Sequence, residues 1–193
     1  NLGSDSHFQV INMNGYWRHS LCVGVTAKLI AKEKKIPANQ QESYFVAGLL
    51  HDIGKIPLNN TLSQEYLDAL ALSDRTRKPL YKSEKEIIGF THADVGNIIS
   101  KAWKLGDEIH DAIVYHHRRQ DYEGPHRTML LSIIIANYFA NSYDIGFSGN
   151  RYPEAVPQEL FDELGVSLDW LESIEDQVSQ EIEKAKVFLK ITE

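Results

Sequence analysis

The chain has one cysteine, Cys22, among its 193 residues, so no disulfide can form within it. A hydrophobic core must hold the fold instead, and 42% hydrophobic residues suffice for one domain of ordinary size. Cys22 is expected to be a small core residue, and this cysteine usage fits a reducing cytoplasm. Long apolar runs are also missing. Even Met129 to Ala136, among the longest, is far too short to span a bilayer, and no signal-peptide pattern occurs, so a cytoplasmic chain without a membrane partner is expected. Positive charge is scarce: 20 Lys and Arg against 27 Asp and Glu leave a net charge of -7, which argues against a nucleic-acid partner held by a basic face. A small phosphate-containing ligand remains compatible with that balance. Strand-like alternation, internal repeats and low-complexity tracts are lacking as well.

What is present is helical periodicity. Leu21, Val25, Leu29 and Ile30 form a stripe on a helix over Trp17 to Lys32, with His19 near its start. A second helix is expected from Asn39 to His51, ended by the breakers Gly54 and Pro57. Ser63 to Ser73 is expected to be helical, then Asp74 to Lys82 a polar linker, and a further segment from Ser83 breaks near Gly89. Thr91 with Asp94 reads as a capping box launching Ala93 to Trp103. Asp107 to His117 and Thr128 to Ser142 have helical periods, and Asp144 to Pro157 reads as a loop. Pro157 to Leu164, closed by Gly165, and one long helix from Asp169 to Leu189 complete the chain. Leu171, Ile174, Val178, Ile182, Ala185 and Leu189 give that last helix an apolar stripe, more often core than interface.

The chemistry concentrates in Leu49-Leu50-His51-Asp52-Ile53-Gly54-Lys55, where an apolar run ends in adjacent imidazole and carboxylate groups. Such a pair suits a divalent first-row metal, and neighbouring ligands reduce the entropy lost in ordering the site. His19, His92, His116 and His117 likewise stand at the ends of apolar segments. A lone histidine of this kind is usually a core residue bonded to a carbonyl. Five of them with an aspartate favour a metal pocket. His110 and His126, in polar surroundings, and His7, near the chain start, gain no such support.

Five blocks carry a resemblance: Trp17-Arg18-His19-Ser20, Gly48 to Gly54, Gly89 to Gly96, Trp103-Lys104-Leu105 and Ala112 to His117. In order and spacing the chain resembles the HDOD branch of the HD superfamily, related to HD phosphohydrolases and to HD-GYP phosphodiesterases that cleave cyclic di-GMP. The resemblance implies an all-α fold, a helical bundle around a metal pocket. It also implies a single HDOD/HD-type domain over residues 1–193, a fragment of a longer protein lacking an N-terminal helical lobe. Carried over, the pattern makes His19, His51 and Asp52 ligands of one ion, with Asn137 where catalytic relatives have an aspartate. His92, His116 and His117 match the ligands of a second ion, with Asp52 as the bridge. One or two divalent ions are thus implied, with Fe, Mn, Zn, Ni and Mg not distinguished.

Within this resemblance, Asp52 and Lys55 are the candidate catalytic residues. Lys55 falls where the HD-GYP branch contacts the substrate phosphate, and Arg118 and Arg119 are candidate phosphate clamps whose alternative is a solvated surface role. Two departures weigh against full catalysis: the tract after His117 lacks a Gly-Tyr-Pro signature, and Gly15 stands where some multi-metal relatives have a glutamate. Two functions remain open. One is a metal-dependent phosphohydrolase or phosphodiesterase acting on a nucleotide or cyclic dinucleotide; the other is a non-catalytic scaffold or ligand-sensing module that retains the pocket. Other signalling domains or proteins are the expected partners, and a purely structural role for the last helix is a third, weaker reading.

Overall fold

The structure is a computed structural model and describes residues 10–189, so His7 lies outside the described residues. Among these residues every regular element is helical. The chain begins with α1 (Met13–Glu33), α2 (Ala38–Leu50), α3 (Lys55–Thr61) and α4 (Ser63–Thr76), followed by α5 (Leu80–Ile87), α6 (His92–Ala102) and α7 (Asp107–Tyr115). A single 3-10 turn at Arg119–Asp121 precedes α8 (Arg127–Ser142), α9 (Gln158–Leu164), α10 (Leu168–Ser173) and α11 (Glu175–Leu189). No helix is long and apolar enough to cross a membrane among the described residues.

Helix α1 is the axis of the fold, packed against α2, α8 and α11. Asn12 starts it by accepting a hydrogen bond from the Gly15 amide, which satisfies a donor that the first turn cannot pair internally. Gly24 and Gly48 let α1 and α2 approach closely, since a Cβ on Gly48 would stand 2.6 Å from the Gly24 Cα. The larger core gathers Leu21, Val25, Ile30, Ala47, Ile113 and Phe139 with Leu171, Ile174, Val178 and Ile182, burying the stripe expected of the last helix. The Leu189 side chain lies outside the described ones. Cys22 is fully buried, and burial pushes its thiol up to about 12, which leaves it protonated and inert. A second, smaller cluster joins Ile11, Tyr16, Leu58, Tyr66, Ala69 and Leu80. His19 lies on α1 between Tyr16 of one cluster and Leu21 of the other, which sets the pocket where the two cores meet.

Three boundaries differ from expectation. Gly54 and Pro57 do not merely end a helix, because α3 starts at once and Pro57 sits in its first turn, where no internal partner for an N–H is needed. The linker expected over Asp74 to Lys82 shrinks to residues 77–79. Arg77 closes α4 in a left-handed conformation, and Asn150, far along the chain, accepts the Leu80 amide at the start of α5. The last helix is two, with Ile174 between them. The Ser173 hydroxyl donates to the Trp170 carbonyl at 2.6 Å, a local bond that competes with the helical ladder.

Candidate metal centre

Four helix-borne segments deliver the site. His19 projects from the first half of α1, and His51 and Asp52 occupy the turn after α2. His92 is the first residue of α6, launched by the reciprocal Thr91 and Asp94 capping box that the sequence announced. His116 and His117 follow the last turn of α7. Gly54 makes this convergence possible: a Cβ there would stand 1.9 Å from the His92 carbonyl oxygen, so only glycine lets the α3 start pass the α6 start. His19, His51, Asp52 and His92 are all at most 3% exposed.

Asp52 is the centre of two clusters able to hold a metal ion, one with His92, His116 and His117 and the other with His19 and His51. Its Oδ1 lies 3.1 Å from His92 Nε2 and 3.5 Å from His116 Nε2, while its Oδ2 lies 3.4 Å from His51 Nε2. His92 Nε2 is in turn 3.4 Å from His116 Nε2 and 3.2 Å from His117 Nε2. Donor atoms about 2.1 Å from a shared ion lie about 3.0 to 3.4 Å apart in octahedral or tetrahedral arrangements, so these separations fit a common cation.

The histidine partners fix which nitrogen faces the pocket. His51 Nδ1 donates to the Gly48 carbonyl at 2.6 Å, and His116 Nδ1 to the Ile113 carbonyl at 2.8 Å. His92 Nδ1 donates to both Glu84 oxygens, at 2.7 and 2.9 Å. Each acceptor turns Nε2 toward the pocket; the neutral His51 ring has its Nε2 lone pair free to ligate, whereas His92 must first give up its Nε2 proton. Buried lone pairs facing one another repel unless a cation or proton lies among them. Among the described residues His51 Nε2 has no hydrogen-bond partner, nor has His19 Nδ1. The donor set therefore fits a divalent ion. Asn137 on α8 brings its Oδ1 to 2.9 Å from His19 Nε2, close enough to share an ion with that ring.

Charge in the pocket is tightly coupled. Burial alone would raise the Asp52 carboxyl, but His51, Lys55 and His92 overcome it and hold it well below its usual range. Burial pushes His51 down to about 3 and His19 to about 4, so both rings are neutral at physiological pH and ready to ligate. His92 is opposite: burial would lower it, yet the Glu84 and Asp52 carboxylates raise it to about 9.

Lys55 is 2% exposed and gives its three protons to Asp52 Oδ2 at 2.7 Å, the Ser148 carbonyl at 2.9 Å and the Ser148 hydroxyl at 3.2 Å. It stands as a counter-charge on Asp52. The two arginines part company. Arg119, half-buried, lines with His116, His117 and Asn137 a cavity of about 230 Å³ beside the metal centre. Arg118 is exposed and lies over the Tyr115 ring at 5.2 Å, where it lines none of the pockets described. Of the histidines given no role, His110 bonds to the Ser100 hydroxyl at 2.7 Å, and His126 stands at the N-cap position of α8 with no capping bond from its side chain.

Three contributors escaped the sequence reading. Glu84 and Tyr66 form the support behind His92, with the Tyr66 hydroxyl donating to Glu84 Oε1 at 3.2 Å. Glu84 is wholly buried in a short helix rich in charge, and nothing local distinguishes it from Lys85 or Glu86. Ser148 belongs to the loop after α8, which covers the site: Phe147 N donates to the Gly15 carbonyl at 2.9 Å. A Cβ on Gly15 would meet the Phe147 carbonyl oxygen at 3.3 Å, so the loop backbone takes the space beside that residue.

The HDOD domain family profile matches residues 2–119. A crystal structure of an HDOD domain protein from Geobacter sulfurreducens superposes with a TM-score of 0.74 at 24% identity, over 91% of this chain and 63% of the other. A candidate signal-transduction protein from Marinobacter aquaeolei VT8 gives 0.73 at 18% identity, over 99% of this chain and 41% of its own. A candidate phosphohydrolase from Shewanella amazonensis SB2B gives 0.65 at 16%, over 89% of this chain and 64% of its own. These likenesses show the fold. An uncharacterized Treponema pallidum (strain Nichols) protein is 20% identical over 144 residues, which are 75% of this chain and 27% of that protein. The chain thus spans about a quarter of that relative's length and less than two thirds of each solved structure.

Proposed function

The chain belongs to the HDOD family, and from that premise we propose that it is a signal-transduction module whose Asp52-centred pocket binds divalent metal and hydrolyses a phosphoester of the nucleotide or cyclic-dinucleotide class. The observation that carries this reading is that His92 Nε2 lies within 3.5 Å of His116 Nε2, His117 Nε2 and Asp52 Oδ1 together. The imidazole-rich donor set favours Fe, Mn, Zn or Ni over Mg, which prefers oxygen ligands. Bound ions would supply an acidified water and neutralise charge on a phosphoryl group. The residues of the chain do the rest. Asp52 offers one oxygen to each cluster, Lys55 restrains Asp52, and Arg119 presents a guanidinium to an anion entering the adjoining cavity.

A second reading is a ligand sensor that keeps the pocket without turnover. It is favoured by Asn137, which places a neutral amide beside His19, and by the commitment of all three Lys55 protons to Asp52 and Ser148. Under either reading the partners are other signalling domains or proteins, and the site of action is the cytoplasm.

The experiment is metal analysis by inductively coupled plasma mass spectrometry on protein purified without chelators, followed by assay of bis(p-nitrophenyl) phosphate. Bound metal with turnover lost in Asp52→Ala supports hydrolysis. Bound metal without turnover supports the sensor, and protein that takes up no metal even on reconstitution overturns both.

A further inference from the structure

Outside the metal pocket, a groove of about 790 Å³ that begins at His117 departs from the chain's acidic character. Four cationic side chains line it: Arg77 from the end of α4, Lys82 from α5, Arg119 from the 3-10 turn and Arg151 from the loop after α8. In a protein of net charge -7, the gathering of four cations from four segments is a local reversal of sign. Their partners divide them. Lys82 pairs with Glu154, the carboxylate in the groove, at 3.3 Å, and Arg151 pairs with Asp74 at 3.2 Å. Arg77 and Arg119 have no ionic or hydrogen-bonding side-chain partner among the described residues, so two guanidinium groups remain open to an incoming anion.

The groove is continuous with the catalytic side. His117, Arg119 and Glu154 line both it and the cavity beside the metal centre, and Tyr81 stacks on the His117 ring at 4.3 Å to form the shared wall. We infer that this groove is a second phosphate-binding subsite, and that the ligand of the pocket carries at least two phosphate groups, one held at the Asp52 centre and one by Arg77 and Arg119. This rests on the phosphoester reading of the metal centre and narrows it to ligands such as linear dinucleotides bearing a terminal phosphate. Guanidinium groups suit that role because each can bind a phosphate through two parallel hydrogen bonds.

The test uses metal-reconstituted protein and the matched probes pApA and ApA, which differ by one terminal phosphate, with affinities read by isothermal titration calorimetry. The wild type should bind pApA about tenfold more tightly than ApA, the effect of one charge-assisted contact. Arg77→Gln should weaken pApA binding while leaving metal content and ApA binding unchanged, and the double variant Arg77→Gln/Arg119→Gln should abolish the preference for pApA over ApA. Equal affinity of the wild type for the two probes, or a preference that survives in the double variant, overturns the subsite alone. If neither probe binds to fully metallated wild type, the phosphoester reading falls and takes the subsite with it.

Discussion

Glu84 holds His92 from two sides: one carboxylate oxygen accepts the His92 backbone N–H at 2.8 Å, and both oxygens contact the ring Nδ1, at 2.7 and 2.9 Å. The first contact anchors the start of α6, and the second fixes the ring so that Nε2 points at Asp52. A carboxylate behind a metal-binding imidazole both orients it and raises its basicity. Glu84→Gln keeps the shape and removes the charge, and should weaken metal affinity by about 10-fold to 100-fold. Competition with a chromophoric chelator reads this directly, and an unchanged affinity would remove Glu84 from the metal-binding machinery.

The same contact makes the metal-free protein sensitive to alkali. Burial opposes the charge on His92, but Glu84 and Asp52 outweigh it and raise the pKa from 6.5 to about 9. The folded state therefore holds this proton more tightly than the unfolded chain, so its contribution is fully present below about pH 6.5 and is lost as pH rises through about 9. His19 and His51, lowered by burial to about 4 and about 3, act in the opposite window, taking up protons on unfolding as pH falls below about 6.5. Melting temperature of the metal-free protein should decline on both sides of that region. Metal affinity should instead rise with pH up to about 9, because an ion displaces the His92 proton. Calorimetry in buffers of different ionisation enthalpy should show proton release on binding near pH 7.5, and the absence of release would refute the coupling.

Gly54 gives a structural prediction. Gly54→Ala puts a methyl carbon where the His92 carbonyl oxygen allows only 1.9 Å, so α3 and α6 must separate. Overpacking of this kind costs roughly 1 to 3 kcal/mol or more, and here it also displaces His92 from Asp52. Urea unfolding should show the loss of stability and metal analysis a parallel loss of occupancy; a variant with wild-type metal content would show that α6 can move without disturbing the site.

Asn137 bears on the choice between enzyme and sensor. Its amide oxygen already lies 2.9 Å from His19 Nε2, so Asn137→Asp adds a negative charge with little change of shape. Metal affinity on the His19 side should rise about tenfold or more. If turnover of bis(p-nitrophenyl) phosphate rises with it, the protein is a weakened hydrolase; tighter metal without turnover favours the sensor. Unchanged metal binding would place Asn137 outside the ligand set.

The parts of the fold legible in the sequence are those whose cause is local. The α6 start could be read because Thr91 and Asp94 satisfy each other's backbone within one turn, and α1 because its apolar stripe repeats at the helical period. The His51 and Asp52 pair could be read because adjacent ligands after an apolar run are rare without a purpose. Glu84, Ser148 and Asn150 could not, since each acts on a partner distant in sequence: Ser148 on Lys55 and Asn150 on the α5 start. The α3 helix escaped because Pro57 breaks helices in their interior and is tolerated in their first turn, and only the structure shows which applies. Arg118 and Arg119 are neighbours of one type, and the 3-10 turn alone sends one to the cavity and the other over Tyr115.

Lys55 supplies the last prediction, because it neutralises Asp52 from the same side that an ion would approach. Its ammonium is buried and 2.7 Å from Asp52 Oδ2, the oxygen nearer His51. Lys55→Met keeps a long apolar stem but leaves the carboxylate without its counter-charge and Ser148 without its donor. Breaking a buried pair in this way costs about 3 to 5 kcal/mol in the metal-free protein. A divalent cation at Asp52 restores the missing charge, so added manganese or zinc should raise the melting temperature of Lys55→Met more than that of the wild type. Metal binding near His51 should also tighten, since a fixed positive charge beside it is gone. Equal metal-induced stabilisation of the two proteins would mean that Lys55 and the ion do not compete for Asp52.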